Sequence, residues 1–139
     1  MKILIKEIIG GSTNGKPGAF YDYTIKGLTE NSLEIKIFDH EFKDFHKYVN
    51  KKIDLLLTPF IDKDPPGFLI EGDFIGGYIV PEEWSDSNKN QELEGLYCIL
   101  TNYGEFILVE DDVNDFNLKK GEQVKFYADR IDILARQII

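Results

Sequence analysis

The chain has 139 residues, 42% of them hydrophobic and 13% aromatic, enough for one compact domain or two very small fused ones. No apolar run reaches bilayer-spanning length, and the lone cysteine, Cys98, excludes an intrachain disulfide and a cysteine metal cluster. The net charge of −9 falls entirely in the later half: residues 1–66 carry ten Lys against ten acids, and residues 67–139 carry four Lys and two Arg against fifteen acids. Such a field repels phosphate backbones and attracts cations, and two Arg are few for bidentate phosphate recognition, so nucleic acid is a disfavoured partner.

In chain order, the start MKILIKEII is too short and too interrupted by charge for a secretory signal, which leads to the expectation of a cytoplasmic protein with no membrane partner. Alternation of apolar and polar residues then predicts strands in ILIKEII, FYDYTIKGL, SLEIKIF and KKIDLLL. HEFKDFHKYV interrupts them with a helical spacing that puts Phe42, Phe45 and Val49 on one face, with Asp39 placed to cap it. FLIEGDFIGGYIV, GLYCILTN and EFILVE are further strands. DDVNDFNLKKG is a second short helical segment with Asp111 or Asp112 as cap, and QVKFYA runs on into RIDILARQ.

The chain repeats itself. Setting residue n on n+71 places Ile35, Ile37, Phe45 and Ile53 on Phe106, Leu108, Phe116 and Val124, and Asn31, Glu34 and Asp44 on Asn102, Glu105 and Asp115. Upstream, an offset of 66 lays ILIKEIIGG over LIEGDFIGG, the difference falling in the polar loop 81–95. The expected fold is therefore mainly β: two degenerate β-β-β-α-β repeats, 1–66 and 67–139, forming a pseudo-twofold closed barrel or two abutting small barrels.

The run DDVNDFNLKKGEQV, with its helix followed by L-x-x-G-E-x-V, resembles an element of the small cradle-loop barrels of the double-psi and swapped-hairpin types. The strand order with a short helix between third and fourth strands is similar to an OB-fold. These resemblances imply a small β-barrel. They carry over no functional residue, because such barrels host binders, enzymes and adaptors alike.

Candidate chemistry is sparse. GGSTNGKP at 10–17 places Gly10, Gly15 and Lys16 as a phosphate-cradling loop does, but Pro17 supplies neither the hydroxyl nor the N–H that such a loop needs, so an inter-strand loop is expected. His40 and His46 are six apart and cannot share a helix face, and the acids around Asp39 and Glu110 match no calcium or zinc spacing. With no catalytic set near Cys98 either, the chain is expected to have no catalytic residues, no metal and no cofactor.

Two binding surfaces remain. Loop 81–95 carries Glu82, Glu83 and Asp86 around the only Trp, Trp84, which reads either as an anchor for a basic protein partner or as a staple folded back on the barrel. Shortening 82–94 is expected to leave folding intact. The leading function is thus a non-catalytic protein-interaction module presenting an acidic surface. The alternatives are an OB-like single-stranded nucleic-acid binder, using Tyr21 and Tyr23 with Lys43, Lys47, Lys51 and Lys52, or a small-ligand or metal-binding barrel.

Overall fold

A computed structural model describes residues 1–13, 15, 20–81, 84 and 95–137. Each predicted strand is present: β1 (Lys2–Gly10), β2 (Tyr23–Leu28), β3 (Glu34–Asp39), β4 (Lys52–Asp62), β5 (Phe68–Tyr78), β6 (Leu96–Thr101), β7 (Gly104–Val109) and β8 (Gln123–Arg136). A 3-10 turn at Phe45–Tyr48 precedes β4, and the short helix α1 (Glu110–Asp115) follows β7. Neighbouring strands run antiparallel in the order β3-β2-β1-β4-β8-β5-β6-β7, and one parallel bridge, Phe38 to Asp132, also joins β3 to β8. No helix among the described residues is long and apolar enough to cross a membrane.

Alternation decides which side chains face inward. Ile3 and Ile5 of β1, Ile25 of β2, Ile35 and Ile37 of β3, Leu55 and Leu57 of β4, Ile70 and Phe74 of β5, Phe106 and Leu108 of β7, and Ile131 and Ile133 of β8 meet in one contiguous buried cluster. β8 holds the two ends of the chain together. Its first part pairs with β5, from Gln123 to Ala128, and its longer second part pairs with β4, from Tyr127 to Arg136.

The stretches FDHEFKDFHKYVNKKI and VEDDVNDFNLKKGEQV end in the same device. Asn50 and Gly121 both adopt left-handed backbone, at φ 67° and 88°. The Asn50 N–H donates to the Ile5 carbonyl at 2.7 Å, the Ile5 N–H to the Lys51 carbonyl at 3.0 Å, and the Lys51 N–H to the Tyr48 carbonyl at 2.9 Å. The Gly121 N–H donates to Phe74 at 2.8 Å, the Phe74 N–H to Glu122 at 2.9 Å, and the Glu122 N–H to Lys119 at 3.0 Å. A left-handed residue turns the chain so that its own N–H and the next carbonyl clamp one strand residue from both sides. Glycine adopts that conformation freely, and asparagine is among the few side chains that tolerate it.

The ladders on either side of these clamps also share a register. β1 slips against β2 between Ile5 and Glu7, and β5 slips against β6 between Phe74 and Gly76. Lys2, Ile3 and Leu4 face Asp54, Ile53 and Lys52, as Glu71, Gly72 and Asp73 face Lys125, Val124 and Gln123. These correspondences set Ile5 on Phe74, an offset of 69. The offset of 66 expected from the two Gly-Gly pairs is therefore three residues out of register: Gly76 sits at the bulge, where the first half has Glu7.

Each half also reaches over the other. At the end of β8, Arg136 lies over the rings of Phe42 (5.3 Å) and Phe45 (5.5 Å) and donates to Asp44 Oδ1 at 2.7 Å. Just beyond β4, Lys63 lies over Phe116 at 5.4 Å. Asn31 Nδ2, in the β2–β3 turn, donates to the Asn102 carbonyl in the β6–β7 turn at 3.1 Å.

The helical segments are shorter than the spacing predicts, and neither is capped by the expected side chain. The Asp39 carboxylate instead accepts the N–H groups of Phe42 (3.0 Å) and Lys43 (2.9 Å), holding the bend before the 3-10 turn. At α1 the N-cap position is Val109, and Glu110, Asp111 and Asp112 fill the first turn, where negative charge suits the helix dipole.

Trp84 closes a second apolar cluster with Leu56, Leu96, Ile107 and Ala135, and only 7% of it is exposed. Loop 81–95 therefore serves the fold through this residue, which alters the expectation for its removal. Trp84→Ala is predicted to cost about 3–5 kcal/mol, the range for emptying an aromatic core site, and replacing 82–94 by a short turn should destabilise comparably, both read from urea melts. Gly121→Ala should cost roughly 1–2 kcal/mol from left-handed strain alone, since no atom lies within 4 Å of an added Cβ. Gly121→Asn should recover most of that loss.

Candidate functional site

Strand parity and register build an outer face on the first half. With Ile35, Ile37 and Asp39 turned inward, Glu34, Lys36 and Phe38 of β3 point out. The cross-strand partners form rows over β1, β2 and β3: Ile9, Thr24 and Phe38; Glu7, Lys26 and Lys36; Leu4, Leu28 and Glu34. The first row continues past β3, because the bridge from Phe38 to Asp132 brings β8 alongside. There the Arg130 guanidinium is sandwiched between the rings of Phe38 and Phe60, 4.4 Å from each centroid. Asp132 holds it in place through two hydrogen bonds, from Nε at 2.7 Å and from Nη2 at 3.0 Å. His40 stacks on Phe38 at 5.5 Å, with 27° between the ring planes.

Beside the rings lies a hollow of about 490 Å³ lined by Lys6, Glu7, Lys26, Leu28, Glu34 and Lys36. The Lys26 ammonium lies 3.8 Å from Glu7, while Lys6 and Lys36 enter no ion pair among the described residues. Phe60 is 50% exposed.

The residues singled out for nucleic acid divide into two groups. Tyr23 meets His46 edge-on at 5.0 Å and Phe20 at 5.6 Å, which brings it to the segment carrying Lys43 and Lys47. Lys47 is engaged there with Asp44 at 3.7 Å and lies over Tyr48 at 5.2 Å. Tyr21 is exposed beside this cluster. Lys51 and Lys52 lie apart from it: the Lys51 backbone clamps Ile5, and Lys52 opens β4 opposite Leu4. Phe38, Phe60 and Arg130 were not singled out from sequence.

In loop 81–95, Glu82, Glu83 and Asp86 lie outside the described residues, and the indole of Trp84 is turned into the second cluster. Most described acids of the second half nevertheless enter no ion pair, Asp132 with Arg130 being the exception. Glu71, Asp73, Glu105, Glu110, Asp111, Asp112, Asp115 and Glu122 enter no ion pair among the described residues, where the pairs formed involve Asp54, Glu7, Glu41, Asp44 and Asp132. On α1, partial burial and then the neighbouring charges of Asp115 and Asp111 raise the pKa of Asp112.

Groups capable of bond chemistry are dispersed. Burial, followed by the negative charge and hydrogen bond of Glu105, pushes the Cys98 thiol up to about 12, so it remains protonated and inert at neutral pH. His40 and His46 are engaged with different rings, and no group of three His, Cys, Asp or Glu converges among the described residues. In the glycine-rich loop, Ser12 N–H is taken by Asp22 Oδ1 at 3.0 Å and Gly15 N–H by Thr13 Oγ1 at 3.1 Å; Lys16 and Pro17 lie outside the described residues.

The chain matches no family model, no curated protein and no solved structure.

Two titrations test this description. Cys98 should fail to react with a disulfide reagent at pH 8 in the native protein and react fully in denaturant; native-state labelling at the rate of a free thiol would contradict its burial. Desolvation raises the Asp39 pKa against the opposing pull of its backbone hydrogen bonds. The folded state therefore holds that proton more tightly than the unfolded state, and Asp39 removes stability as pH rises from the ordinary carboxylate range, about 4, through its raised folded value. Asp39→Asn should flatten this part of the stability–pH curve.

Proposed function

We propose that the chain is a non-catalytic interaction module built from two degenerate copies of one β-β-β-α-β unit. The copies form two small barrels that share β4 and β8, and the second presents its acidic surface to a basic protein partner. Support for the repeat comes from the two clamps, the paired bulges and the common ladder register. Support for closure comes from the bridge between Phe38 and Asp132, which returns the order β3-β2-β1-β4-β8 upon itself, and from the approach of β7 to β4 on the other side. The same pairing supports an OB-like path for each copy.

The observation that carries the functional reading is the uncompensated charge on β5, β7 and α1. Beyond the helix-dipole contribution of the first turn of α1, the fold gains no ion pair among the described residues from the seven carboxylates on these elements, while ion pairs form elsewhere on the chain. Their mutual repulsion opposes the compact state, yet it gives a field that speeds encounter with a positively charged surface.

The test uses the intact chain as bait, beside the variant Glu110→Gln/Asp111→Asn/Asp115→Asn, which keeps the part-buried Asp112. Basic proteins captured by the parent should elute with added salt and be absent from the variant. An identical set of captured proteins from both baits would rule the reading out.

A further inference from the structure

We propose that the outer face of the first half, centred on Phe38, Phe60, Lys26 and Lys36, is a binding site for single-stranded nucleic acid. The site is separate from the acidic surface and stands without that reading. Three features of this face go beyond what core packing requires. Lys26 and Lys36 lie directly opposite each other on β2 and β3, an arrangement that destabilises a sheet when the charges are alike. Glu7 offsets one of them, and Lys36 enters no ion pair among the described residues. The Phe60 ring stays half in water. The third feature is the cluster of His40, Phe38, Arg130 and Phe60, in which His40 stacks on Phe38 and Arg130 lies over both Phe rings at the surface.

Each feature fits a ligand that offers planar rings in series along an anionic backbone. Because Asp132 occupies the Arg130 fork through two hydrogen bonds, the guanidinium serves to brace Phe38 and Phe60, each ring centroid 4.4 Å from it. The His40 and Phe60 rings are each about half exposed, and stacking accepts any base. Lys36 lies two residues from Phe38 on the same side of β3, about 6.7 Å along the strand, so a base on the rings places its backbone over the lysine row. Lys6, lining the same hollow, extends that row. An acidic peptide would find the lysines but would supply no succession of planar groups for the rings.

Fluorescence anisotropy of labelled oligothymidylate and oligouridylate decamers, titrated with the intact chain at low salt, tests the site. Both should bind saturably, and three lysine contacts should give a log–log salt slope of about −2. Phe60→Ala should weaken binding about tenfold. Lys36→Glu should weaken it severalfold, while Lys125→Glu, the same charge change on the second half, should have no effect. Thermal melts of each variant verify folding. The proposal is overturned by any of four results: no saturable binding by the parent chain, full affinity in Phe60→Ala, equal losses in Lys36→Glu and Lys125→Glu, or displacement by polyglutamate as effective as by unlabelled oligonucleotide.

Discussion

Both halves hang on a backbone clamp closed by a residue in left-handed conformation. Asn50 and Gly121 each send an N–H to one residue of the half's first strand, and the next carbonyl takes that residue's N–H in return. Few side chains accept this conformation, so the clamp fixes which residue meets Ile5 and which meets Phe74. Register follows from there. A slip of one residue in β1 or β5 would turn every inward side chain outward, and the buried cluster from Ile3 to Ile133 would be lost with it. The parity that exposes Lys26, Lys36 and Phe38 follows from the β1–β2 and β2–β3 ladders of the first half.

The two halves are held together through β8. β8 supplies the parallel neighbour of β3 and the antiparallel neighbours of β4 and β5, and the buried cluster draws residues from β1 to β8 without a break. Arg136 on Phe45 and Lys63 on Phe116 reinforce this exchange from opposite ends of the β4–β8 pair. The charge imbalance between halves is therefore carried by one rigid core, which keeps an acidic surface and an aromatic, lysine-bearing surface apart in fixed relation.

Much of the fold was legible because period-2 alternation is a local signal. The residues 33–37, 53–57 and 124–128 announced strands in which Ile35, Ile37, Ile53, Leu55, Leu57, Phe126 and Ala128 are buried as expected, while Leu33 and Val124 are only partly so and Leu56, expected on the other face, is buried in the second cluster. The offset of 66 misled because identical glycines need not have identical work: Gly76 relieves a bulge at φ 121°, whereas Gly10 faces the ring of Phe20. The outer face was half legible. Lys36 and Phe38 are out of phase with Ile35 and Ile37, which gives their direction, but Arg130 reaches Phe38 and Phe60 only through pairing across some seventy to ninety residues, beyond any local pattern. Trp84 could be read as anchor or as staple, and its choice depends on Leu56 and Ala135, which are also distant in sequence.

The two outer faces differ in how they are covered. On β7 the outward residue is Ile107, and Trp84 with Leu56 and Ala135 shields it from water. On β3, seventy-one residues earlier, Lys36 points outward and is exposed. A face sealed by its own chain offers nothing to a ligand beyond the charges around it, whereas a bare face with fixed rings offers contacts already paid for in lost side-chain freedom. One unit has thus spent its outer surface on stability and kept its acids for the solvent. The other has accepted exposed Phe60 and opposed lysines, costs that a separate binding surface explains and that packing does not.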